Sequence, residues 1–222
     1  MNDPVVKRLH FIARYPGLLL WTLLALPIIR PAMESVMVWH MGVQIPALVV
    51  AGVLLGPATK RVYERYFASW NGHGVAGTLL ALMTLLFWML PRSLDASLDH
   101  GAMEVAKFVT LPLLVGLPLY HSWHGLSLIG RGIVWSNFIA MLFVMSWLYL
   151  AAPLRVCNNY LLNEQEALGW YFFGSGLAAV LFIGWRVLFG SGAPVTSTPH
   201  HDSHPDRYHL RLPSCHNHHK NA

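Results

Sequence analysis

Histidine and methionine side chains recur at helical spacing near the start of a long apolar segment. Met33, Met37 and Met41 follow one another at intervals of four, and His40 lies three residues after Met37. At about 100° per residue, these side chains share one helix face with Glu34. Imidazole and thioether ligands together suit copper, and thioethers favour Cu(I). The spacing therefore predicts a copper site at Met37, His40 and Met41, and the alternative is that the methionines only fill space between helices.

A second group of the same kind opens a later apolar segment, SLDHGAMEVAKF. His100, Met103, Glu104 and Lys107 are three or four residues apart and so share a helix face. We predict that His100 joins His40 as a principal copper ligand, with Met103 and Glu104 in the same site. The alternative reading, an ion pair between Glu104 and Lys107, explains the two charges but neither His100 nor Met103.

Three further polar side chains are predicted to surround the metal ligands rather than bind the metal. They are Glu34, before the first group, and Glu164 and Gln165, which precede the last apolar segment. Carboxylates of this kind orient imidazole ligands by accepting their N–H hydrogen bonds. For Glu164 the simpler alternative is stabilisation of a helix N-terminus, where acidic groups are favoured.

The elements that must position these residues are membrane-spanning helices. The chain has 222 residues, of which 55% are hydrophobic and only 11% are charged, which excludes a disordered chain and a nucleic-acid-binding module. Apolar runs long enough to approach the membrane thickness predict an all-α polytopic bundle of about six spans. They cover residues 15–29, 36–56, 75–90, 103–120, 133–152 and 168–188.

The distribution of cations predicts the orientation of the bundle. With six spans, eleven of the lysines and arginines fall on the side of the termini and four on the other side. The excess marks the cytoplasmic side, so both termini are expected to be cytoplasmic and the His40 and His100 groups to lie at the outer face. A bacterial cytoplasmic membrane is the expected location, and lipid is the expected surrounding.

The remaining histidines fall in two places. His73, His121 and His124 lie at the predicted inner ends of helices, where interfacial side chains with tips toward water are the favoured interpretation and a second metal site is the alternative. Residues 190–222 are polar and hold seven histidines, which predicts a flexible cytoplasmic tail that follows a transmembrane domain at residues 1–189.

Three segments together resemble one protein family, the polytopic CtaG-type assembly factors of bacterial cytochrome c oxidase. The segments are VWHMGVQIPALVVAGVLLG, LDHGAMEVAKFVTLPLLVGLPL and NEQEALGWYFFGSGLAAVLF. The resemblance matches His40 and Met41 to a His-Met motif, His100 and Glu104 to a His-x-x-x-Glu motif, and Glu164, Gln165 and Gly169 to an acidic-Gln motif. It implies a role in supplying copper to a respiratory oxidase at the outer face of the membrane.

Three functions follow as hypotheses, none of which requires catalysis by this chain. The first is a copper-binding assembly or accessory protein for a respiratory oxidase or related copper oxidoreductase. The second is a b-type haem protein that transfers electrons, with His40 and His100 as haem ligands from two helices. The third is a purely structural transmembrane subunit of a larger oxidoreductase complex. No phosphate loop, GxSxG or HExxH motif indicates an enzyme, and no partner of nucleic-acid type is expected.

Overall fold

The structure is a computed structural model that describes residues 15–153, 155–157 and 159–189, and nine α-helices account for most of these residues. Two π-helical segments, Val38–Gln44 and Leu111–Gly116, continue directly into α-helices. The α-helices are α1 Pro16–Leu24, α2 Ile29–Glu34, α3 Ile45–Tyr66, α4 Val75–Met89, α5 Pro91–Asp99, α6 Gly101–Thr110, α7 Leu117–Trp123, α8 Leu128–Ala151 and α9 Leu162–Phe189. The predicted tail at residues 190–222 lies outside the described residues.

Four continuous helical stretches are long and apolar enough to cross a membrane. They are Val38–Tyr66, Gly101–Trp123, Leu128–Ala151 and Leu162–Phe189. A fifth candidate is the pair α4 and α5, which bend by 70° at Leu90. Leu90 precedes a proline and has the extended backbone that a proline imposes on its neighbour. The prediction of an all-helical fold is confirmed for the described residues, of which four or five helical stretches could span a membrane.

The predicted first span, residues 15–29, differs from the structure. It is divided into α1 and α2, and the chain between them, at residues 25–28, has turn or irregular conformation. Pro27 lies in this break, where it removes a backbone donor and its ring opposes helix continuation. Six spans with cytoplasmic termini therefore stay a prediction for the whole chain.

Two glycines bring the spans Val38–Tyr66 and Gly101–Trp123 into backbone contact. A Cβ at Gly52 would lie 2.2 Å from the Pro112 carbonyl oxygen, and a Cβ at Gly116 would lie 2.4 Å from the Val49 carbonyl oxygen. Neither position can hold a larger side chain unless the backbones separate. Close approach of this kind is typical of helix packing in membranes. The hydrophobic effect does not drive helices together there, and small residues let the backbones come close enough for van der Waals contact.

Helices α8 and α9 form an antiparallel hairpin at one side of the bundle. The Ser146 hydroxyl donates to the Gly169 carbonyl oxygen at 2.9 Å, which joins the two helices across a small-residue contact. Only 11% of the residues in the apolar stretch of each helix are buried. Most of the hairpin surface is therefore apolar and available to lipid.

Reporter fusions after Arg65 and after Asp95 are expected to report opposite sides of the membrane. The only described helix between the two points that is long enough to approach a span is α4, and cations flank it mainly on the Arg65 side. Paired fusions to a reporter active outside the membrane and one active inside it would measure this. The same signal from both positions would contradict the predicted orientation.

Candidate functional site: a buried ionic network around His40

A lysine and a glutamate form an ion pair at the end of the bundle that contains His40. Lys107, on α6, is completely buried, and its Nζ lies 2.7 Å from Glu34 Oε1 at the end of α2. The Glu34 side chain is 13% exposed. Ionisable groups within the apolar part of a membrane protein are costly, and they usually mark a functional site.

The hydrogen bonds of His40 determine which of its ring nitrogens carries the proton. Tyr160 Oη donates its single proton to the Glu34 carbonyl oxygen at 2.8 Å, so at its 2.8 Å contact with His40 Nδ1 the hydroxyl can only accept. Nδ1 therefore carries the hydrogen, and Nε2 holds the lone pair. That lone pair accepts from Lys107 Nζ at 3.0 Å. Both nitrogens of this fully buried imidazole are thus occupied by protein groups.

Tyr160 comes from the loop between α8 and α9, outside the spans. Burial, followed by the nearby Glu34 carboxylate, raises the pKa of the Tyr160 hydroxyl above its usual range. The hydroxyl consequently keeps the proton that it donates to the Glu34 carbonyl. This bond fixes the loop to α2 and holds the acceptor that His40 requires.

Gln44 and a second ion pair complete the network. The Gln44 amide lies between the charged pair, with Oε1 3.5 Å from Lys107 Nζ and Nε2 3.4 Å from Glu34 Oε1. Beside it, Arg30 pairs with Glu104 at 2.7 Å. The two carboxylates of this region thus each have a cation from another segment, and the network links α2, the first π-helical segment and α6.

The π-helical segment Val38–Gln44 determines where His40 points. Pro46 lacks a backbone N–H and cannot donate to the Gly42 carbonyl oxygen, as a regular helix would require. That oxygen instead accepts from the Tyr171 hydroxyl of α9 at 3.1 Å. The Ile45 N–H bonds to the His40 carbonyl oxygen five residues earlier, which is the π-helical pattern. Pro46 and Tyr171 thus stabilise the wide π-helical turn from which the His40 side chain contacts Lys107.

The predicted thioether ligands lie in or beside this network. Met37 and Met41 are fully buried, and Met103 is partly buried against the same core. The Tyr149 hydroxyl donates to Met41 Sδ at 3.6 Å. One neutral imidazole and two fully buried thioethers are the types of donor that Cu(I) prefers. However, Lys107 occupies the Nε2 lone pair, so the described geometry fits a copper ion at His40 only when the ammonium is elsewhere.

His100 occupies a different environment from His40. It precedes α6 and is exposed, and no side-chain hydrogen bond to it is found within the described part of the chain. Glu104, one turn later, pairs with Arg30. Among the described residues, no group of three or more His, Cys, Asp or Glu side chains is arranged to hold a metal. A metal shared by His40 and His100 therefore stays a prediction.

Glu164 and Gln165 lie at the start of α9. Glu164 is half-buried in the first turn, and Gln165 is buried. Gln165 Oε1 accepts from the Val156 N–H at 2.9 Å, and its Nε2 donates to the Tyr149 carbonyl oxygen at 3.2 Å. Gln165 therefore positions the loop that carries Tyr160. The prediction that Gln165 surrounds a bound metal stays a prediction.

The sequence contains weak signals for the residues that the copper prediction left out. Lys107 is a lysine inside an apolar helix, which already indicates a paired buried charge, but the sequence offered Glu104 on the same helix as its partner. In the structure the partner is Glu34. Tyr160 and Gln44 carry no local signal, because their roles depend on which helices are neighbours.

The Cys157 thiol is expected to resist alkylation in the folded protein. Burial, followed by the Asp95 carboxylate, raises its pKa to about 12, so at pH 8 its thiolate fraction is roughly a thousandfold below that of an ordinary thiol. Iodoacetamide labelling of the Cys215→Ser chain, followed by mass spectrometry, measures this rate. The same chain in denaturing detergent is the control, and equal rates in the two conditions would contradict the buried, neutral thiol.

Comparisons of the chain with protein-family models, with curated proteins and with solved structures found no match.

Proposed function

We propose that this protein is a membrane-embedded accessory or assembly protein for a respiratory oxidase or related copper oxidoreductase, with copper as its cargo. One observation carries the proposal. The imidazole of His40 and the thioether side chains of Met37 and Met41 lie within five residues of one helical stretch, and each is fully buried. A soft donor set in an apolar site favours Cu(I) over the harder and more abundant cations.

Lys107 is the residue that distinguishes cargo from a resident cofactor. Its ammonium occupies the one free lone pair of His40, at 3.0 Å, while Glu34 balances its charge. A cation at His40 and the ammonium in this position exclude each other by charge and by space. In this proposal the empty protein keeps its network satisfied by Lys107, and copper must compete with the lysine, which suits a protein that passes its metal on.

Copper affinity in the variants tests the proposal directly. Lys107→Met removes the competing ammonium and adds a thioether, so it is expected to raise Cu(I) affinity, whereas His40→Phe is expected to abolish binding at this site. The purified full chain would be titrated with Cu(I) against a competing chelator. Lys60→Met is the matched control, because Lys60 is an exposed cation whose contact, at 3.8 Å, is to Glu64.

The same titration addresses the prediction for His100. If His100 joins His40 in one site, His100→Ala should weaken Cu(I) binding as strongly as His40→Phe does. A chain that binds no Cu(I) at His40, either as the parent or with Lys107→Met, would overturn the copper role.

A structural role in a larger oxidoreductase is the second candidate, and one observation favours it. The centre of the network needs no added group, since both nitrogens of His40 and the Lys107 ammonium are satisfied by protein atoms. Absence of copper binding in every variant, together with loss of the oxidase complex when the gene is deleted, would support this candidate. The haem alternative also needs the His40 lone pair, and a visible absorption spectrum of the purified chain tests it.

A further inference from the structure

A cavity lies at the opposite end of the bundle from His40. Its volume is about 630 Å³, within the range of roughly 300–1,000 Å³ that small-molecule sites occupy. Thr59, which lines it, is nineteen residues after His40, or roughly 28 Å along the helix. The cavity is therefore separate from the ionic network. It is bounded by α3, α4, the second π-helical segment and α7.

The polar wall of the cavity is built around a fully bonded asparagine. Asn71 is buried, and its Nδ2 donates to Tyr63 Oη at 2.7 Å and to Ser122 Oγ at 2.8 Å. Its Oδ1 accepts from the Gly77 N–H at 2.9 Å. The ring of Tyr63 stacks on His121 with centroids 4.0 Å apart and planes 3° apart. This packing holds two polar aromatic side chains at defined positions in the cavity wall.

The hydrogen bonds of Tyr63 and His121 leave one donor and one acceptor on these two side chains unused. The Thr59 hydroxyl donates its single proton to the Gly56 carbonyl oxygen at 3.0 Å, so it accepts from His121 Nε2 at 3.0 Å. His121 Nδ1 therefore holds a lone pair. Tyr63 Oη accepts from Asn71 and keeps its own proton. Within the described part of the chain, neither this proton nor the Nδ1 lone pair has a hydrogen-bond partner.

The rest of the lining limits the charge and shape of a ligand. The described residues that line the cavity include no Lys, Arg, Asp or Glu, so a charged headgroup would have no counter-ion there. Aliphatic side chains and three further aromatic side chains, Tyr66, Phe67 and Trp70, complete the wall. Val62, Leu113 and Leu114 are also exposed at the bundle surface, on the side available to lipid. The cavity thus joins a polar aromatic wall to an apolar side that faces the membrane.

We propose that this cavity binds the ring of a lipid-soluble quinone, whose apolar chain extends along the lipid-facing side. A quinone ring is planar, uncharged and carries oxygens that accept from a donor such as the Tyr63 hydroxyl, and its flat face suits the aromatic lining. A phospholipid acyl chain would fill the volume but would leave the Tyr63 proton without the acceptor that a quinone oxygen supplies. This site is independent of the copper proposal, because no residue of the His40 network lines it.

Binding of decylubiquinone to the full chain in lipid nanodiscs tests this inference. The quinone that remains with the protein after separation would be extracted and quantified, with empty nanodiscs as the background. We expect one equivalent per chain that saturates. Tyr63→Phe keeps the ring and loses the donor, so it should weaken binding about tenfold. Val62→Trp fills the cavity from its lipid-facing side and should remove the saturable binding.

Tyr120→Phe is the matched control, because Tyr120 neighbours His121 but does not line the cavity, and this variant should bind like the parent. Quinone that only partitions into lipid, or that binds equally to the parent, Tyr63→Phe and Val62→Trp, would overturn the inference. A tightly held phospholipid that co-purifies with the parent, is lost in Val62→Trp and is not displaced by quinone would also overturn it. If Tyr63→Phe fails to fold, Val62→Trp and Tyr120→Phe still decide between these results.

Discussion

Replacing Glu34 by glutamine is expected to lower the free energy of unfolding by about 3–5 kcal/mol, because removal of one partner of a buried ion pair leaves the other charge without compensation. The charge left behind is that of Lys107, which is fully buried. Its other hydrogen-bond acceptors among the described residues are the neutral side chains of His40 and Gln44. Unfolding of the purified chain in mixed micelles of increasing denaturing detergent measures the loss.

The reverse substitution, Lys107→Met, should cost less, about 1–3 kcal/mol. It leaves the Glu34 carboxylate, which is 13% exposed and still has the Gln44 amide at 3.4 Å and Arg30 at 4.0 Å. Glu64→Gln is the matched control, because its pair with Lys60 is largely exposed and should change stability by less than about 1 kcal/mol. An equal effect at Glu34 and Glu64 would show that the buried pair is not formed in the membrane.

Substitution of Gly52 by alanine is expected to destabilise the protein by roughly 3 kcal/mol, the upper end of the usual range for overpacking. The added Cβ would lie 2.2 Å from the Pro112 carbonyl oxygen and 2.8 Å from Pro112 Cα. These atoms belong to the backbone, so no side-chain rotation relieves the clash, and α3 must move away from the second π-helical segment.

The same substitution at Gly174 provides the control with the opposite sign. Nothing lies within 4 Å of a Cβ built at Gly174, in the middle of α9. Alanine there only removes the helix penalty of glycine and should stabilise by up to about 1 kcal/mol. Both variants would be measured by the same detergent unfolding experiment. A loss at Gly174, or no loss at Gly52, would contradict the packing of these helices.

The local features of the candidate site could be predicted from the sequence, and its pairings could not. The period of 3.6 residues placed His40 on one helix face with Met37 and Met41, and all three are buried. The same local reasoning offered Glu104 and Lys107 as partners three residues apart. In the structure Glu104 forms an ion pair with Arg30, and Lys107 forms one with Glu34. Those choices depend on the rotation of α6 against α2, which no periodicity along one helix specifies.

For the membrane-spanning helices, too, local sequence features could be predicted and features that depend on tertiary contacts could not. The apolar runs at residues 36–56, 103–120, 133–152 and 168–188 predicted four helices, and these correspond to the stretches Val38–Tyr66, Gly101–Trp123, Leu128–Ala151 and Leu162–Phe189. Apolar length did not reveal the break between α1 and α2 or the π-helical turns. These turns depend on prolines together with replacement partners, such as the Tyr171 hydroxyl at the Gly42 carbonyl, that come from distant parts of the chain.

The contact between His40 and Tyr160 joins residues 120 positions apart, and it has a consequence for biogenesis. Helices emerge and fold in chain order, so the segments that carry Glu34, His40 and Lys107 are made before the ribosome has made the loop that supplies the tyrosine. Until then the imidazole lacks its acceptor and the Glu34 carbonyl lacks its donor. Water-soluble reagents should therefore reach a cysteine placed at position 40 in chains arrested before residue 160, and lose access in longer ones. We therefore expect the His40 region to close to solvent only when the α8–α9 hairpin, with its Tyr160 loop, has been made. The network around His40 would then be completed late in the synthesis of the protein.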